Sequence, residues 1–427
     1  MLRARIVVTM DGAPIENGAV AISGNRIIDV GTFNAVKGRN SGEVVDLGEQ
    51  ALLPGLINAH CHLDYTCLRG KIPPQKSFAD WIRAILSEKA KLSPANYVTS
   101  IKEGFAEAKK FGTTTIANLT AFPELIAKID EPIRTWWFAE LIDVRESHRA
   151  KEIDDSPPGS SPSRAARLRR SAPAGSVVDL AVERLKSRTN WGLAPHAPFT
   201  ASANLYRHCE EVAPLLTTHL AESREEMEMF RDAAGPLYDF VKEFGRDMSD
   251  CGQQSPLTHF LTMRDSSTAL RSARNDKEWI VVHLNELTER DFDLLTRSTS
   301  KFHIVHCPRS HRYFGHSPFR FEKLRALGFN ICLGTDSLAS NEDLSLFAEM
   351  RHFQKSGPGI APEQILSMVT SNAALALGKP HVLGRLRTGY WADMVAIPFS
   401  GLRENVFEEI VALDTAVTMS MVDGEIS

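Results

Sequence analysis

Eight short runs of apolar, largely β-branched residues follow one another along the middle of this 427-residue chain. Longer segments separate them, and some of these have the periodicity of amphipathic helices, such as Val98–Phe111 and Glu322–Leu327. Strands buried on both faces alternate with helices in parallel α/β folds, and eight such strands close into a (β/α)₈ TIM barrel. The predicted strands are Leu52–Asn58, Thr113–Leu119, Thr135–Ile142, Trp191–Ala194, Leu215–His219, Trp279–Leu284, Phe302–His306 and Asn330–Gly334.

Both ends of the chain differ in pattern from the middle. The first 50 residues contain short β-rich segments that are separated by turn signals such as Asp11-Gly12. The C-terminal segment returns to β-like patterning at Met394–Pro398 and Ala416–Val422. We therefore expect one small composite β-sandwich beside the barrel. Its two parts would be residues 1–54 and 384–427, and the barrel would be residues 55–383.

The composition is that of an ordinary globular protein, with 43% hydrophobic and 24% charged residues. A formal net charge of −4 gives no basic surface for nucleic acid or an anionic membrane. No apolar stretch approaches the roughly 20 residues that span a bilayer, and the N-terminus lacks the apolar core of a signal peptide. The six cysteines form no C-x-x-C pair, which favours free thiols. The sequence predicts a cytoplasmic protein without nucleic-acid or membrane partners, and leaves homo-oligomer formation open.

One segment interrupts the pattern after the third predicted strand. Residues 154–176 are rich in Ser, Pro, Ala and Arg. Such a composition buries too little apolar surface to order itself well. We expect a disordered surface insertion here, with a basic docking site for a partner as the alternative.

Ionisable side chains stand at or just after the ends of several predicted strands. His60 and His62 follow the first strand, His219 and His283 end the fifth and sixth, and Asp336 follows the eighth. Because side chains two apart in a strand point to the same side, His60 and His62 should aim together into the barrel mouth. Catalytic residues of TIM barrels come from this rim, where polar groups are costly unless paired or coordinated. Three imidazoles and a carboxylate suit a divalent ion such as Zn²⁺ with an open position for water.

These residues lie in segments that resemble the motifs of the amidohydrolase superfamily. Leu53–His62 is similar to the opening motif, and His219–Glu222, His283 and Gly334–Ser337 match later motifs in order. Gly384–Asp393 resembles the C-terminal return to the β-sandwich. The H-x-x-E pattern after the fifth strand resembles the mononuclear deaminase branch. That branch contains S-adenosylhomocysteine, methylthioadenosine and aminodeoxyfutalosine deaminases and chlorotriazine hydrolases. The fourth strand has no lysine to bridge two metals, which favours one ion.

The resemblance implies a role for each of these side chains. The expected ligands of one divalent metal, Zn²⁺ or alternatively Fe²⁺, are His60, His62, His219 and Asp336. Glu222 would transfer a proton to the substrate's ring nitrogen, His283 would polarise the attacking water or the oxyanion, and Asp336 would also accept the water's proton. The implied activity is hydrolytic deamination of an adenine-type nucleoside by a metal-bound hydroxide. The substrate would be S-adenosylhomocysteine, methylthioadenosine, adenosine or aminodeoxyfutalosine.

Three further residues are expected to face the substrate. His196 ends the fourth strand, where the family contacts the nucleobase. Trp81 lies where relatives place an aromatic wall, and packing on the barrel is the alternative. Arg309 follows the seventh strand and would suit a carboxylate, with a salt bridge between loops as the alternative. Glu88 is the nearest counterpart of a ribose-binding glutamate in related deaminases, but the spacing is one residue shorter.

Other functions remain open at this stage. Within the same branch they are chlorotriazine hydrolase and guanine, pterin or cytosine deaminase. A different class is a non-catalytic, dihydropyrimidinase-like assembly protein, which the complete ligand set disfavours. His208-Cys209-Glu210 matches the H-x-E of cytidine deaminases, but the P-C-x-x-C that those enzymes need is absent.

Overall fold

The computed structural model describes residues 1–143, 174–265, 278–298, 301–357 and 359–426. Eight parallel strands form one sheet in which each strand pairs with its neighbour in chain order. They are β6 Leu56–Cys61, β7 Thr113–Thr120, β8 Arg134–Leu141, β9 Trp191–Pro195, β10 Leu216–Leu220, β11 Trp279–His283, β12 His303–His306 and β13 Asn330–Leu333. All eight predicted runs contribute a strand, and the predicted TIM barrel is confirmed.

The barrel closes between β6 and the segment after β13. The backbone amides of Thr335 and Asp336 donate to the carbonyl oxygen of His60 at 3.1 and 3.2 Å, and Cys61 forms a parallel bridge with Asp336. The buried Asn58 amide adds two contacts, because its Nδ2 donates to Thr335 Oγ1 at 2.8 Å and its Oδ1 accepts from Thr335 N at 3.2 Å. The strand ends that carry His60 and Asp336 are therefore joined directly.

Helices connect the barrel strands and cover the outside of the barrel. Several begin on a serine or threonine that accepts a backbone hydrogen bond, such as Ser202 and Thr288. Within the described ranges the helices are α1 Phe33–Arg39, α2 Phe78–Lys89, α3 Pro94–Lys110, α4 Ala174–Leu185, α5 Ala203–Val212, α6 Arg224–Asp232, α7 Pro236–Glu243, α8 Pro256–Asp265, α9 Glu289–Arg297, α10 Pro308–Phe314, α11 Phe321–Ala326, α12 Leu346–Ser356, α13 Pro362–Met368, α14 Ser371–Ala376 and α15 Val406–Ala412, with short 3₁₀ segments at Leu63–Leu68, Pro123–Lys128 and Arg403–Asn405. None of these described helices is long and apolar enough to cross a membrane.

Strands from both ends of the chain form a second, mixed sheet. Its members are β1 Leu2–Val7, β2 Ile15–Ser23, β3 Arg26–Thr32, β4 Val45–Asp46, β5 Gln50–Pro54, β14 Met394–Pro398, β15 Met419–Val422 and β16 Glu425–Ile426. The termini meet where β5 pairs antiparallel with β14. Arg134 of β8 ties the barrel to this sheet, with its Nε 2.9 Å from Asp393 Oδ2. The expected composite β-domain is therefore present, while its boundaries at residues 54 and 384 remain a proposal.

Two local features differ from the sequence interpretation. The first predicted run divides at Gly55 into β5 of the small sheet and β6 of the barrel. A Cβ at Gly55 would lie 2.0 Å from Thr114 Oγ1, so the chain passes between the sheets where only glycine fits. The sequence analysis places residues 174–176 in the insertion, but in the structure they begin α4. The rest of that segment, residues 154–173, lies outside the described residues.

Gly334 provides a test of the barrel closure. A Cβ at this position would lie 2.7 Å from the carbonyl oxygen of His60 and 2.9 Å from its Cβ. We predict that Gly334→Ala lowers the free energy of unfolding by roughly 1–3 kcal/mol, the usual cost of overpacking, and also reduces bound metal. Urea unfolding and metal analysis measure both effects. Gly31→Ala is the control, because the nearest atom to its Cβ would be at 3.5 Å. Equal stability of the two variants would contradict the prediction.

Candidate active site

The histidines and aspartate predicted from the strand ends converge in the barrel mouth. His62 Nε2 lies 3.3 Å from His219 Nε2. Asp336 Oδ1 lies 3.6 Å from His60 Nε2 and 3.8 Å from His62 Nε2. One ligand atom from each of His60, His62 and His219 falls within 4.8 Å of the other two. This spacing allows the four side chains to share a single ion.

The hydrogen bonds around the cluster fit a bound divalent cation. His60 is fully buried, and neither of its ring nitrogens has a hydrogen-bond partner among the residues that the structure describes. Such an arrangement is costly unless a ligand takes the lone pair. His219 Nδ1 donates to the carbonyl oxygen of His196 at 2.9 Å, which leaves Nε2 for the cluster. Asp336 Oδ2 accepts from Ser310 Oγ at 2.6 Å and Ser340 Oγ at 3.2 Å, so Oδ1 faces the imidazoles.

Burial sets the protonation of these side chains. It lowers the pKa of His62 to about 3 and also lowers the pKa of His219, so both rings are neutral and offer a lone pair. Burial opposes ionisation of Asp336, but its contact with His60, whose Nε2 lies 3.6 Å from Oδ1, holds its pKa well below the usual value. The cluster therefore presents neutral nitrogens and an ionised oxygen, as a metal ligand set requires.

The backbone at these strand ends is in an uncommon conformation. Ala221, His283, Leu284 and Asp336 have φ values of 49°, 75°, 51° and 57°. Left-handed φ is costly for residues other than glycine and is found at functional sites, where surrounding contacts enforce it. Here the amides of Leu284 and Asn285 donate to the carbonyl oxygens of Leu220 and Ala221, each at 2.9 Å.

Glu222 is a buried acid beside this cluster. It precedes α6 on the loop after β10, and its Oε1 lies 3.6 Å from His283 Nε2. Burial, reinforced by the negative charges of Asp336 and Glu226, raises the pKa of Glu222 well above its usual value. A glutamic acid that keeps its proton near neutral pH is suited to general acid–base work. Glu222 is therefore a buried residue that precedes α6, not an exposed residue of the helix.

His196 and Trp81 both lie at the barrel mouth. His196 follows β9, with Nδ1 2.6 Å from Thr200 Oγ1 and its ring centroid 4.8 Å from that of His219. Trp81 projects from α2, stacks on Phe78 at 5.9 Å and meets Phe314 edge-on at 4.9 Å. Trp81 therefore packs among aromatic side chains of α2 and α10, and its place as a wall of the substrate site remains a proposal.

Arg309 and Glu88 are directed to other partners. The Arg309 guanidinium is buried, with Nη1 2.6 Å from Asp343 Oδ1 and Nη2 3.0 Å from Glu342 Oε2. This is the salt bridge between loops that the sequence analysis gives as the alternative. Its acidic partners, Glu342 and Asp343, lie on the loop after β13. Glu88 pairs with Lys91 at 2.5 Å at the C-terminal end of α2. We therefore do not assign either residue to substrate binding.

The sequence analysis did not identify three residues that lie beside the cluster. Glu140, near the end of β8, has Oε1 3.9 Å from His62 Nδ1. Tyr65 stacks on His62 with a centroid distance of 5.8 Å, and Lys89 Nζ donates to the Tyr65 hydroxyl at 2.6 Å. One signal was available for Glu140, because it is the only charged residue in the apolar run Thr135–Ile142. A charge at the end of a buried strand indicates a polar partner.

The chain belongs to the amidohydrolase family, since residues 51–426 match the model of that family. It is 26% identical to a 5-methylthioadenosine/S-adenosylhomocysteine deaminase of Saccharophagus degradans, over 92% of this chain and 81% of that protein. The fold is similar to that of Helicobacter pylori aminofutalosine deaminase in complex with methylthio-coformycin, with a TM-score of 0.81, 20% identity and coverage of 100% and 99% of the two chains. It is also similar to a Xanthomonas campestris adenosine deaminase with bound zinc, with a TM-score of 0.76, 23% identity and coverage of 100% and 92%.

The ligand geometry leads to a prediction about metal content. We predict about one divalent ion per chain, removable by chelators and restored by added metal. His60→Ala and Asp336→Asn should each lose the ion, because each removes a donor from the cluster. Elemental analysis of the purified protein gives the measurement. His381→Ala is the control, since that histidine is exposed and outside the cluster. An active protein with almost no metal would overturn the assignment of these ligands.

Proposed function

We propose that this protein is a metal-dependent deaminase that releases ammonia from an adenine-type nucleoside. In this proposal His60, His62, His219 and Asp336 bind one ion, with Zn²⁺ expected. The observation that carries it is Glu222, a buried acid with a raised pKa whose carboxyl group lies 3.6 Å from His283, beside the ligand cluster. The named activities of the relatives support the same reaction. The proposed partner is a small heteroaromatic amine, and the proposed location is the cytoplasm.

The ion and the protein have separate tasks in this reaction. A divalent ion held by His60, His62, His219 and Asp336 would lower the pKa of a bound water to roughly 7 and so supply a nucleophile at neutral pH. Asp336 accepts a proton from the attacking water, because its carboxylate is ionised and is oriented by Ser310 and Ser340. His283, whose pKa is lowered by burial, is neutral and hydrogen-bonds the oxygen that adds to the ring.

Glu222 balances the charge that develops on the substrate. Addition of water to an aromatic C–NH₂ carbon places an electron pair on the adjacent ring nitrogen, and Glu222 protonates it. Collapse then breaks the C–N bond: the amino group takes the proton held by Asp336 and leaves as ammonia, while the hydroxyl proton passes to the Glu222 carboxylate and the ring carbon becomes a carbonyl. The backbone holds Glu222 in place, since its amide donates to Glu226 Oε2 at 2.8 Å and its carbonyl accepts from Asn285 Nδ2 at 3.1 Å.

The walls of the site favour a flat ring. Trp81, with Phe78 and Phe314 behind it, offers an aromatic surface, and His196 offers a hydrogen-bonding edge near His219. Adenine presents both a flat face and hydrogen-bonding ring nitrogens. A ring with the wrong hydrogen-bonding edge would leave buried polar groups unpaired, which gives strong discrimination.

One observation favours a second candidate, a chlorotriazine hydrolase. The nearest counterpart of the ribose-binding glutamate implied by the resemblance is Glu88, whose spacing is one residue shorter and whose carboxylate pairs with Lys91. A substrate without ribose does not need that contact. The same metal and the same Glu222 would serve this reaction, with chloride as the leaving group.

A substrate panel separates the two candidates. We predict ammonia release from methylthioadenosine, S-adenosylhomocysteine or adenosine, and little release from guanine, pterin or cytosine. Ammonia and chloride assays with the zinc-loaded protein, with atrazine included, measure the outcome. Activity on atrazine alone would support the second candidate, and the absence of ammonia from every adenine nucleoside would overturn the first.

The proton transfer is tested with Glu222→Gln. Glutamine keeps the shape of the side chain, and Glu222 is outside the proposed ligand set, so the fold and metal content should be unchanged. We predict that turnover falls by roughly 10²–10⁴, the range for loss of a general acid–base group. Glu228→Gln on α6 is the matched control and should keep its turnover. Near-normal turnover of Glu222→Gln would remove the main support for the deaminase proposal.

A further inference from the structure

Helix α2, which carries Trp81, begins on a carboxylate from another part of the chain. The backbone amides of Phe78 and Ala79, its first two residues, donate to Glu225 Oε1 at 2.6 Å and Oε2 at 3.0 Å. The Ser77 hydroxyl accepts from the Asp80 amide at 3.0 Å. A helix leaves its first amides without partners inside the helix, and a negative charge is favourable there. Glu225 therefore supplies the acceptor oxygens for the first two amides of α2.

The same turn of α6 also fixes the acid–base loop. Glu226, the residue after Glu225, accepts from the Ala221 amide at 3.2 Å and the Glu222 amide at 2.8 Å. Adjacent glutamates thus hold two parts of the site, because Glu226 fixes the backbone of Glu222 and Glu225 fixes the start of α2. The position of the α2 wall is tied to the position of the proton-transfer group.

Helix α2 meets the site at both of its ends. Near its start, Phe78 packs in one apolar cluster with Ala197 and Phe199 of the segment after β9, and Trp81 borders this cluster. At its end, Lys89 bonds to Tyr65, which stacks on the metal-site residue His62. A movement confined to the start of α2 would therefore shift Trp81, while the contact between Lys89 and Tyr65 holds the other end of the helix beside His62.

Apart from the Ser77 cap, the polar side-chain contacts described near the start of α2 are exposed and weak by comparison. The nearby contact between Arg83 and Glu243 of α7 spans 3.4 Å, and the two side chains are 44% and 66% exposed. Exposed pairs of this kind contribute little to stability. Most residues between 69 and 77, which precede the helix, are exposed. Hydrogen bonds from amides to a carboxylate are among the stronger ones in proteins, so Glu225 is the main polar anchor of this helix end.

We propose that Glu225 is a positioning residue that clamps the start of α2 and keeps the Trp81 wall closed on the substrate. Loss of the clamp leaves the metal ligands, Glu222 and His283 in place and loosens the wall. The expected defect is therefore in substrate binding. Only the kinetic part of this inference rests on the proposed function.

The test compares Glu225→Ala and Glu225→Gln with the control Glu243→Gln, which removes an exposed carboxylate that contacts the same helix. In Glu225→Ala we expect amide hydrogen exchange at residues 78–89 to accelerate by about 10-fold or more, since two charge-assisted hydrogen bonds are lost. We expect KM for the active nucleoside to rise by a similar factor while kcat changes by less than about threefold. Glu225→Gln keeps one acceptor oxygen and should be intermediate. Metal content should be unchanged in all three.

Two outcomes would contradict the clamp that we propose for Glu225. Unchanged exchange in α2, or equal loss of protection throughout the barrel, would show that Glu225 has no specific role in holding this helix. A fall in kcat at constant KM would show that Glu225 acts on the acid–base loop instead. If no nucleoside is turned over by the wild-type protein, the proposed function fails, but the exchange comparison still tests the clamp.

Discussion

The hydrogen bonds between β6 and the segment after β13 are the contact on which the site depends. They bring Asp336 to His60 by joining the backbones of the first and last barrel strands, with the amides of Thr335 and Asp336 on the His60 carbonyl at 3.1 and 3.2 Å. The approach is so close that no side chain fits at Gly334. The hydrogen bonds that close the barrel therefore also bring Asp336 to His60. A change that weakens this closure should also disturb the side-chain cluster.

Burial has opposite effects on the bases and the acid of the site. It lowers the pKa values of His62, His219 and His283, because the charged imidazolium loses hydration. It raises the pKa of Glu222, because the charged carboxylate loses hydration. One physical cause thus favours the neutral form of both the imidazoles and the acid. Asp336 is the exception, since its contact with His60 lowers its pKa in spite of burial.

The sequence predicted the barrel and the members of the cluster, because both depend on local patterns. Strands buried on both faces read as continuous apolar runs, and the rim rule then places His219 and His283 together. The partners of Arg309 could not be predicted, because Glu342 and Asp343 come from a different loop and no local pattern marks the contact. The division of the first predicted run at Gly55 could not be predicted either. A continuous apolar run gives no sign that its two halves belong to different sheets.

The proposed chemistry and the proposed substrate specificity depend on different kinds of structure. His60, His219 and His283 stand on barrel strands or at their ends, where the strand ladder fixes their backbones. The wall formed by Trp81 and Phe314 stands on helices, and α2 is held to the barrel mouth by side-chain contacts. Side-chain contacts can change without disturbing a strand ladder, so the pocket wall can vary while the metal cluster is kept. Proteins similar to this chain in sequence or fold have differently named substrates, as the 5-methylthioadenosine/S-adenosylhomocysteine deaminase and the aminofutalosine deaminase do.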